Sequence, residues 1–575
     1  VKPIPHLPMK EPAMLVAFDS EDDSDGSVKS FSFTWFDNQL KKRKRTFYDT
    51  DDARNFVRNF PGKAIFIAHN LEYDLVNLYR DVGFEEMAEM QYTAKLVSAK
   101  IKGRGHRFID SFSFFPDALE KMGDAIGLKK LDFDPDSLEY AERDPEIVLE
   151  FITAFRNKII GDYDIDLTNT IGGLSMRIFL EYYLSREYIP FNDNICLEAF
   201  YGGRCEVFYK GKVNEPIYES DINSEYPSVM TKEFPDTSTI IKTDNLKMRF
   251  GVATCLIKTP EDIFIPVLPA RIDKKLIFPR GTFKGTWTFA ELHAAIKRGY
   301  KVLKIYEAYG TDTGCYPFKQ FMEDHYAKRL AAENELVKLF MKLLMNNLYG
   351  KLITHKDRCV ITHGPYRPKK WEQDGDDYEL MSVYGDIYVY RVPMKKPPAS
   401  ANYMWGAYVT SYGRLLLLEN LEKVHNTPGA TLCYCDTDSV SSFGTKPKLD
   451  YDQTRLGALK SEKWDAGHFY MPKGYILVRR ESPDKAGKRK VTCKGIPQPA
   501  YIKKQQLELT MENPRYAFLE TGRATFRKPI KFRQSLISQE KANVWKKTTK
   551  NKHITAPKRE EKEEGGVTFP LLVGI

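Results

Sequence analysis

The chain has no CxxC spacing among its eight cysteines and no HExxH or paired-ligand spacing among its ten histidines, so no structural zinc centre is expected. Neither a GxxxxGK phosphate loop nor a GxGxxG fingerprint occurs, which disfavours a P-loop NTPase. No apolar run approaches the roughly eighteen residues of a membrane span, and no charged stretch leads into an apolar one as in a secretory leader. Internal repeats are also lacking. The expectation is a reduced, soluble, monomeric, cytoplasmic protein that engages no membrane.

What is present is a long, basic, ordinary globular composition. A chain of 575 residues is too long for one core, and about one domain per 150 residues suggests several compact units. Hydrophobic residues make up 42% and charged ones 29%, as in soluble domains. The formal charge of +9 suits a polyanionic partner. Basic residues cluster at Lys41 to Arg45 and from Lys541 to Arg559. The first cluster, taken alone, reads rather as a solvated face. In the second, Trp545 lies among Lys541, Lys546, Lys547, Lys550 and Lys552, a stacking ring among phosphate contacts.

Patterning divides the chain. Residues 13 to 186 alternate short apolar strands (Met14 to Phe18, Ala64 to Ala68, Arg107 to Ile109) with helical stretches, an α/β layer pattern. A second unit begins near Tyr188. Between Thr243 and Gly314, strand-like pieces are broken by Pro and Gly, with a short helix near Phe289 to Arg298. The spacing of Leu336, Leu339, Phe340, Leu343 and Leu344 predicts helix from about Phe318 to Tyr349. Residues 354 to 402 read as an inserted hairpin region, and the chain beyond about Lys494 is basic and less patterned.

Within an apolar run, residues 434 to 439 read Tyr-Cys-Asp-Thr-Asp-Ser. In extended backbone, Asp436 and Asp438 are expected to point at one spot. Hard divalent ions take such carboxylates together with substrate phosphates, which suggests phosphoryl transfer on Mg²⁺. A polar turn is the alternative reading. A third acid, Asp221, ends a strand and enters the turn Ser224-Glu225-Tyr226-Pro227. On the predicted helix, Lys342, Asn346 and Tyr349 share one face, where a lysine can hold a triphosphate.

DxxSxYP from Asp221, KxxxNxxYG from Lys342 and YCDTDS from Tyr434, in this order, resemble motifs A, B and C of family B DNA polymerases. Tyr201-Gly202-Gly203 resembles the YxGG hinge motif, Thr410 to Arg414 the TxxGR motif, and Lys473-Gly474-Tyr475 the KxY motif. Size and spacing are most similar to the protein-primed branch of small tailed-phage and linear-plasmid replicases. The resemblance implies that Asp221 and Asp438 bind two metal ions with Asp436 in support, and that Lys342 with Lys328 or Arg329 holds the triphosphate. It implies that Tyr226 lies under the sugar and excludes a 2′-hydroxyl, that Tyr349 packs beside it with Asn346 on the same face, and that Lys473, Tyr475 and Lys494 grip the primer. Tyr201, Gly202, Gly203, Thr410 and Arg414 are implied DNA contacts. Two departures stand out: Glu225 replaces a usually apolar residue, and Asn347 a usual Ser.

Toward the other end, Asp19 and Glu21 alternate at a strand end, Asn70 and Asp74 are four apart, and so are Tyr140 and Asp144. Acids converging in this way can hold two metals. For Asp19 and Glu21 alone a solvated loop is the favoured reading, because Asp22, Asp23 and Asp25 follow. The ordered set DxE, HNLxxD and YxxxD resembles the 3′–5′ exonuclease motifs preceding family B polymerase domains. That implies metal binding by Asp19, Glu21, Asp74 and Asp144, a water-orienting Tyr140, and Lys130 at the scissile phosphate. His69, Asn70, Tyr73, Ser111 and Phe112 would hold the single strand.

The resulting expectation is a multidomain α/β chain: a ribonuclease H-like exonuclease domain (1–186), then a right-hand polymerase domain. The latter comprises palm (187–244 and 403–497), a first palm insertion (245–315) contacting terminal protein and DNA, fingers (316–353), a second insertion (354–402) for processivity and strand displacement, and thumb (498–575). Expected partners are template and primer DNA, dNTPs and a terminal protein, with two Mg²⁺ ions, or Mn²⁺, in each active site. The alternatives are a DNA-primed polymerase without terminal protein and a nuclease whose polymerase half is inert.

Overall fold

The computed structural model describes residues 1–7, 12–22, 27–79, 81–82, 84–92, 96–132, 134, 136–355, 357–365, 378–394, 396–481, 487–499, 502, 505–529, 545–551, 558–562 and 565–574, with backbone alone for 88, 89, 358, 384, 528, 529 and 545–547. Lys541 and Lys552 lie outside the described residues, as do the side chains of Trp545, Lys546 and Lys547, so the expected stacking cluster there lies outside the description.

In the amino-terminal unit, strand Met14–Asp22 runs parallel to Ala64–Ala68, which runs parallel to Arg107–Asp110; Val28–Phe36 and Lys42–Phe47 extend the sheet antiparallel. The side-chain period of two buries both faces. Leu15 and Ala17 join the core under helix Leu138–Tyr163, and Val16 and Phe18 join an aromatic core with Phe33, Phe66 and Phe108. The basic run from Lys42 lies on the sheet edge, where Lys42 and Lys44 pair with Glu146 and Arg43 with Asp37. Those three residues follow the solvated-face reading.

A sheet-level merger was not expected. Strands Arg358–His363, Glu379–Tyr384 and Ile387–Val392, inside the second predicted insertion, continue the same sheet to ten strands by pairing Val360 with Gln91. Ile361, Ile387 and Val389 enter the aromatic core, so this insertion is part of the first unit's packing.

A five-stranded antiparallel sheet follows the order Leu459–Trp464, Ile217–Ile222, Ser439–Gly444, Ala430–Asp436, Cys205–Val207. Helix Tyr403–His425 covers one face, with Leu417 and Leu421 against Cys435 and Val440. The predicted helix near Phe318 to Tyr349 is a hairpin of Lys319–Ala331 and Glu335–Asn347, then the short turn Tyr349–Leu352. Asn334 makes the break: its side chain accepts from the Leu336 N–H at 2.7 Å and restarts the helix as an N-cap. The sheet Phe250–Lys258, Arg280–Thr288 and Lys301–Thr311 forms the body of the first predicted insertion. Strand Gly566–Pro570 returns from the distal region to pair with Tyr209–Val213, and Leu572–Val573 pairs with Arg280 and Gly281. No helix of the described residues is long and apolar enough to cross a membrane.

Candidate active sites

The turn that carries Asp438 departs from the extended geometry expected for it. Asp436 pairs with Ser439, which leaves Thr437 and Asp438 as a two-residue hairpin connection, with Thr437 at φ 59°. The Asp438 N–H donates to the Asp436 carbonyl at 2.7 Å across Thr437, a γ-turn with a β-branched residue at its centre. It is held from outside, since the Thr437 N–H donates to the Arg204 carbonyl at 2.7 Å. Gly203 must lack a side chain, because a Cβ there would lie 2.6 Å from Thr437 Oγ1.

The turn sends the two aspartates apart. Asp438 faces Asp221 across the sheet, with the Ile222 N–H on the Asp438 carbonyl at 2.7 Å, and both line a cavity of about 780 Å³. Asp436 opens on a separate cavity of about 410 Å³ with Lys473, Lys494 and Arg515. Lys473 Nζ donates to both Asp436 carboxylate oxygens, at 2.8 and 2.7 Å. The expectation that the two carboxylates point at one spot is therefore corrected: the i, i+2 rule holds along a strand and fails across a hairpin turn.

The larger cavity gathers Tyr226, Arg329, Lys342, Asn346 and Tyr349 from the expected set, with Lys338 and Lys460 in addition. Of the two candidates preceding Lys342, Arg329 faces inward and donates to Ser224 Oγ at 3.2 Å. Lys328 turns away to Tyr163 Oη at 3.2 Å and Asp162 at 3.7 Å. The Tyr226 and Tyr349 rings pack at 4.6 Å. Burial first, then Glu219 and Asp438, pushes Asp221 up to about 6. Burial also raises Asp438, while burial, Arg329 and Lys460 lower Lys342. Two partly desolvated, mutually repelling carboxylates lining one cavity with several cations suit a divalent ion carrying phosphates.

Other expected contacts are buried. Thr410 is 2% exposed and Arg414 4%, so neither presents itself to a strand; Arg414 instead donates to the Tyr201 and Gly202 carbonyls and pairs with Glu291. Tyr201 is buried beneath Arg271, and Tyr475 packs against Tyr434. Lys473 and Lys494 do share the second cavity. Glu225 is buried with Oε1 lacking a hydrogen-bond partner, and the missing Gly413 side chain leaves room for its carboxyl. Burial raises its pKa. Sequence reasoning missed Lys490, which pairs with Glu219 at 2.6 Å, two residues before Asp221. It also missed Arg515; neither residue falls in a recognisable spacing.

In the first unit, Asp19 and Glu21 meet Asp144 from helix Leu138–Tyr163, one carboxylate oxygen of each within 4.8 Å of the others. Ser20 holds Asp74 beside them through its N–H at 2.9 Å and hydroxyl at 2.7 Å. Burial, then Asp74, Asp144 and Glu21, raises Asp19 well above the usual carboxylate range; burial and Asp144 push Glu21 up to about 7. Lys130 Nζ binds Asp144 Oδ2, while Asp144 Oδ1 is buried without a hydrogen-bond partner, an atom suited to a metal ion. Tyr140 lies one turn earlier, its ring 5.7 Å from Lys130 Nζ.

His69 bonds the Asp117 carbonyl and Ser111 Oγ, each at 2.9 Å. The carbonyl only accepts, so Nε2 carries a proton and, in the neutral ring, Nδ1 accepts from the hydroxyl. Phe112 packs on this ring at 5.5 Å. Asn70 is exposed at φ 80°, and Tyr73 donates to Asp22. Buried Asp110, another missed residue, accepts from the N–H groups of Asn70, Leu71 and Phe112 and fixes this corner.

Residues 125–362 match the family described as DNA polymerase type B, organellar and viral. A probable DNA polymerase of Podospora anserina is 27% identical over 443 residues, covering 67% of this chain and 36% of the relative. The DNA-directed DNA polymerase of Enterobacteria phage PRD1 is 23% identical over 491 residues, covering 78% and 79%. The chain spans about a third of the fungal relatives from Podospora anserina and Ascobolus immersus, 36% and 32% of their lengths. Phi29 DNA polymerase in complex with primer-template DNA and incoming nucleotides shares the fold, with a TM-score of 0.71 at 16% identity over 94% of this chain and 100% of that one. The fold is thus the multidomain α/β architecture seen in phi29 DNA polymerase. In sequence the chain is thus similar to the organellar and viral type B DNA polymerases.

Proposed function

We propose that the chain is a DNA-directed DNA polymerase of viral or plasmid type with a 3′–5′ proofreading exonuclease. The observation that carries the first half is Asp221 and Asp438 meeting in a cavity faced by Arg329, Lys338, Lys342 and Lys460. Asp221 and Asp438 would hold Mg²⁺ or Mn²⁺, which when bound activates the primer 3′-hydroxyl and neutralises the leaving pyrophosphate. Arg329 and Lys342 orient the triphosphate, where negative charge builds up in the transition state. Tyr226 and Tyr349 form the wall against sugar and base, and Lys473 and Lys494 hold the primer strand.

The convergence of Asp19, Glu21, Asp74 and Asp144 supports the second half. These carboxylates would hold the hydrolytic metal ions, Lys130 keeps Asp144 oriented, and Tyr140 places the attacking water. Such a second sieve raises fidelity beyond what selection by binding supplies. We further propose protein priming and strand displacement, with primer-template DNA, dNTPs and a terminal protein as partners. The two insertions of the sequence support this reading: the first carries a sheet of its own, and the strands of the second continue the sheet of the first unit.

Primer extension and mismatch excision on one labelled duplex test the proposal. Asp438→Ala should abolish extension and spare excision, and Asp19→Ala with Glu21→Ala should do the reverse. Unchanged extension in Asp438→Ala overturns the polymerase assignment. Priming is tested by transfer of a labelled dNMP to a protein hydroxyl without an oligonucleotide.

A further inference from the structure

The cations of the larger cavity come from two sources. Arg329, Lys338 and Lys342 stand on the helical hairpin 319–347, whereas Lys460 stands on strand Leu459–Trp464 of the central sheet. Lys460 is the register partner of Asp221 in an antiparallel pair. Directly opposed residues project from one face with their Cβ atoms about 5 Å apart, so the lysine rises beside the carboxylate.

Its neighbours on that face are already matched. Glu462 pairs with Lys488 at 2.7 Å, and Glu219 with Lys490 at 2.6 Å. Lys460 is exposed and has no hydrogen-bond or ion-pair partner among the described residues, yet it lines the cavity. It also stands near enough to Lys342 for its charge to disfavour protonation there. A lysine on an edge strand commonly serves only to keep the edge from pairing. That role does not require an amine lining the same cavity as two carboxylates and the hairpin's cations.

We propose that Lys460 is a further substrate-binding residue, a cation fixed to the central sheet that holds the terminal phosphates of the incoming nucleotide and the pyrophosphate derived from them. This rests on the polymerase reading above. In nucleotidyl transfer the primer O3′–Pα bond forms, and the bond from Pα to the bridging oxygen breaks. The electron pair stays on pyrophosphate and the hydroxyl proton leaves to solvent. Lys460 sits on the strand next to Asp221, so its position is independent of the helical hairpin, and it meets the leaving group opposite the hairpin's cations.

The test uses the full chain with Lys460→Met and Lys460→Arg in single-nucleotide incorporation. Loss of a charge-assisted contact should raise the dNTP KM and the inhibition constant of pyrophosphate roughly tenfold in Lys460→Met, with Lys460→Arg within about twofold of the unsubstituted chain. Primer-template affinity and excision should not change. An unchanged KM and inhibition constant would overturn the inference. So would weakened primer-template binding at unchanged KM, which would make Lys460 a DNA contact, or loss of excision as well, which would make it structural. If the unsubstituted chain fails to extend a primer, the polymerase reading itself falls and takes this inference with it.

Discussion

Lys473 grips the carboxylate of Asp436 with two hydrogen bonds, at 2.8 and 2.7 Å, in a cavity apart from that of Asp438 two residues on. Asp438→Asn should lower kcat for extension by roughly 10³ or more, the loss of a direct metal ligand. Asp436→Asn and Lys473→Met should each cost only about tenfold, since each removes one charge-assisted pair. The double variant should be no worse than either single one, because both remove the same interaction. Single-turnover extension by the four proteins checks this; an additive double variant would show that Asp436 acts independently of Lys473.

Much of the site was legible because its residues travel in short motifs whose spacing survives folding: Asp19 with Glu21, Tyr140 with Asp144, Lys342 with Asn346 and Tyr349. The opposite faces of Asp436 and Asp438 were not, because Thr437 adopts φ 59° only under the hold of Arg204, far away in sequence. Lys460 and Lys490 were invisible for a related reason: strand pairing and a side-chain ion pair bring them to Asp221 and Glu219, with no spacing to mark them. The merger of strand Arg358–His363 with Met87–Tyr92 likewise depends on pairing between distant segments, which alternation within either strand does not encode.

Arg329 and Lys328 are adjacent on one helix and face different neighbours. Arg329 lines the nucleotide cavity, and Lys328 reaches Tyr163 and Asp162 of the first unit. Arg329→Met should raise the dNTP KM roughly tenfold. Lys328→Met should stay within about twofold, as for a surface substitution outside the site. Steady-state KM values for one templated nucleotide decide the matter, and equal effects would contradict the facing assigned here.

The crowded acids of the first unit give the metal-free protein a pH signature. Glu21 is pushed up from 4.5 to about 7, and Asp19 is raised as well, chiefly by burial. The folded state therefore holds protons that the unfolded chain has released, and stability falls as pH rises from about 4.5 toward 7. Melting temperature in a chelator should decline across that window. Asp19→Asn with Glu21→Gln, or added Mg²⁺, should flatten the decline; a flat profile in the unsubstituted, chelated protein would contradict the crowding.

Arg559 links the strand returning from the distal region to the polymerising turn. It is 3% exposed, donates to the Thr568 and Phe264 carbonyls, and lies 3.6 Å from Glu206, which is fully buried and also binds Arg204 at 2.6 Å. Arg204 in turn presents the carbonyl that holds Thr437. Arg559→Met should cost about 3–5 kcal/mol by leaving a carboxylate poorly compensated in the interior. Adding Glu206→Gln should recover part of that loss, because the uncompensated charge is then gone even though Arg204 loses its partner. Urea unfolding of the single and double variants measures both steps. If the loss is instead one of packing around Phe208 and Phe264, the second substitution will bring no recovery.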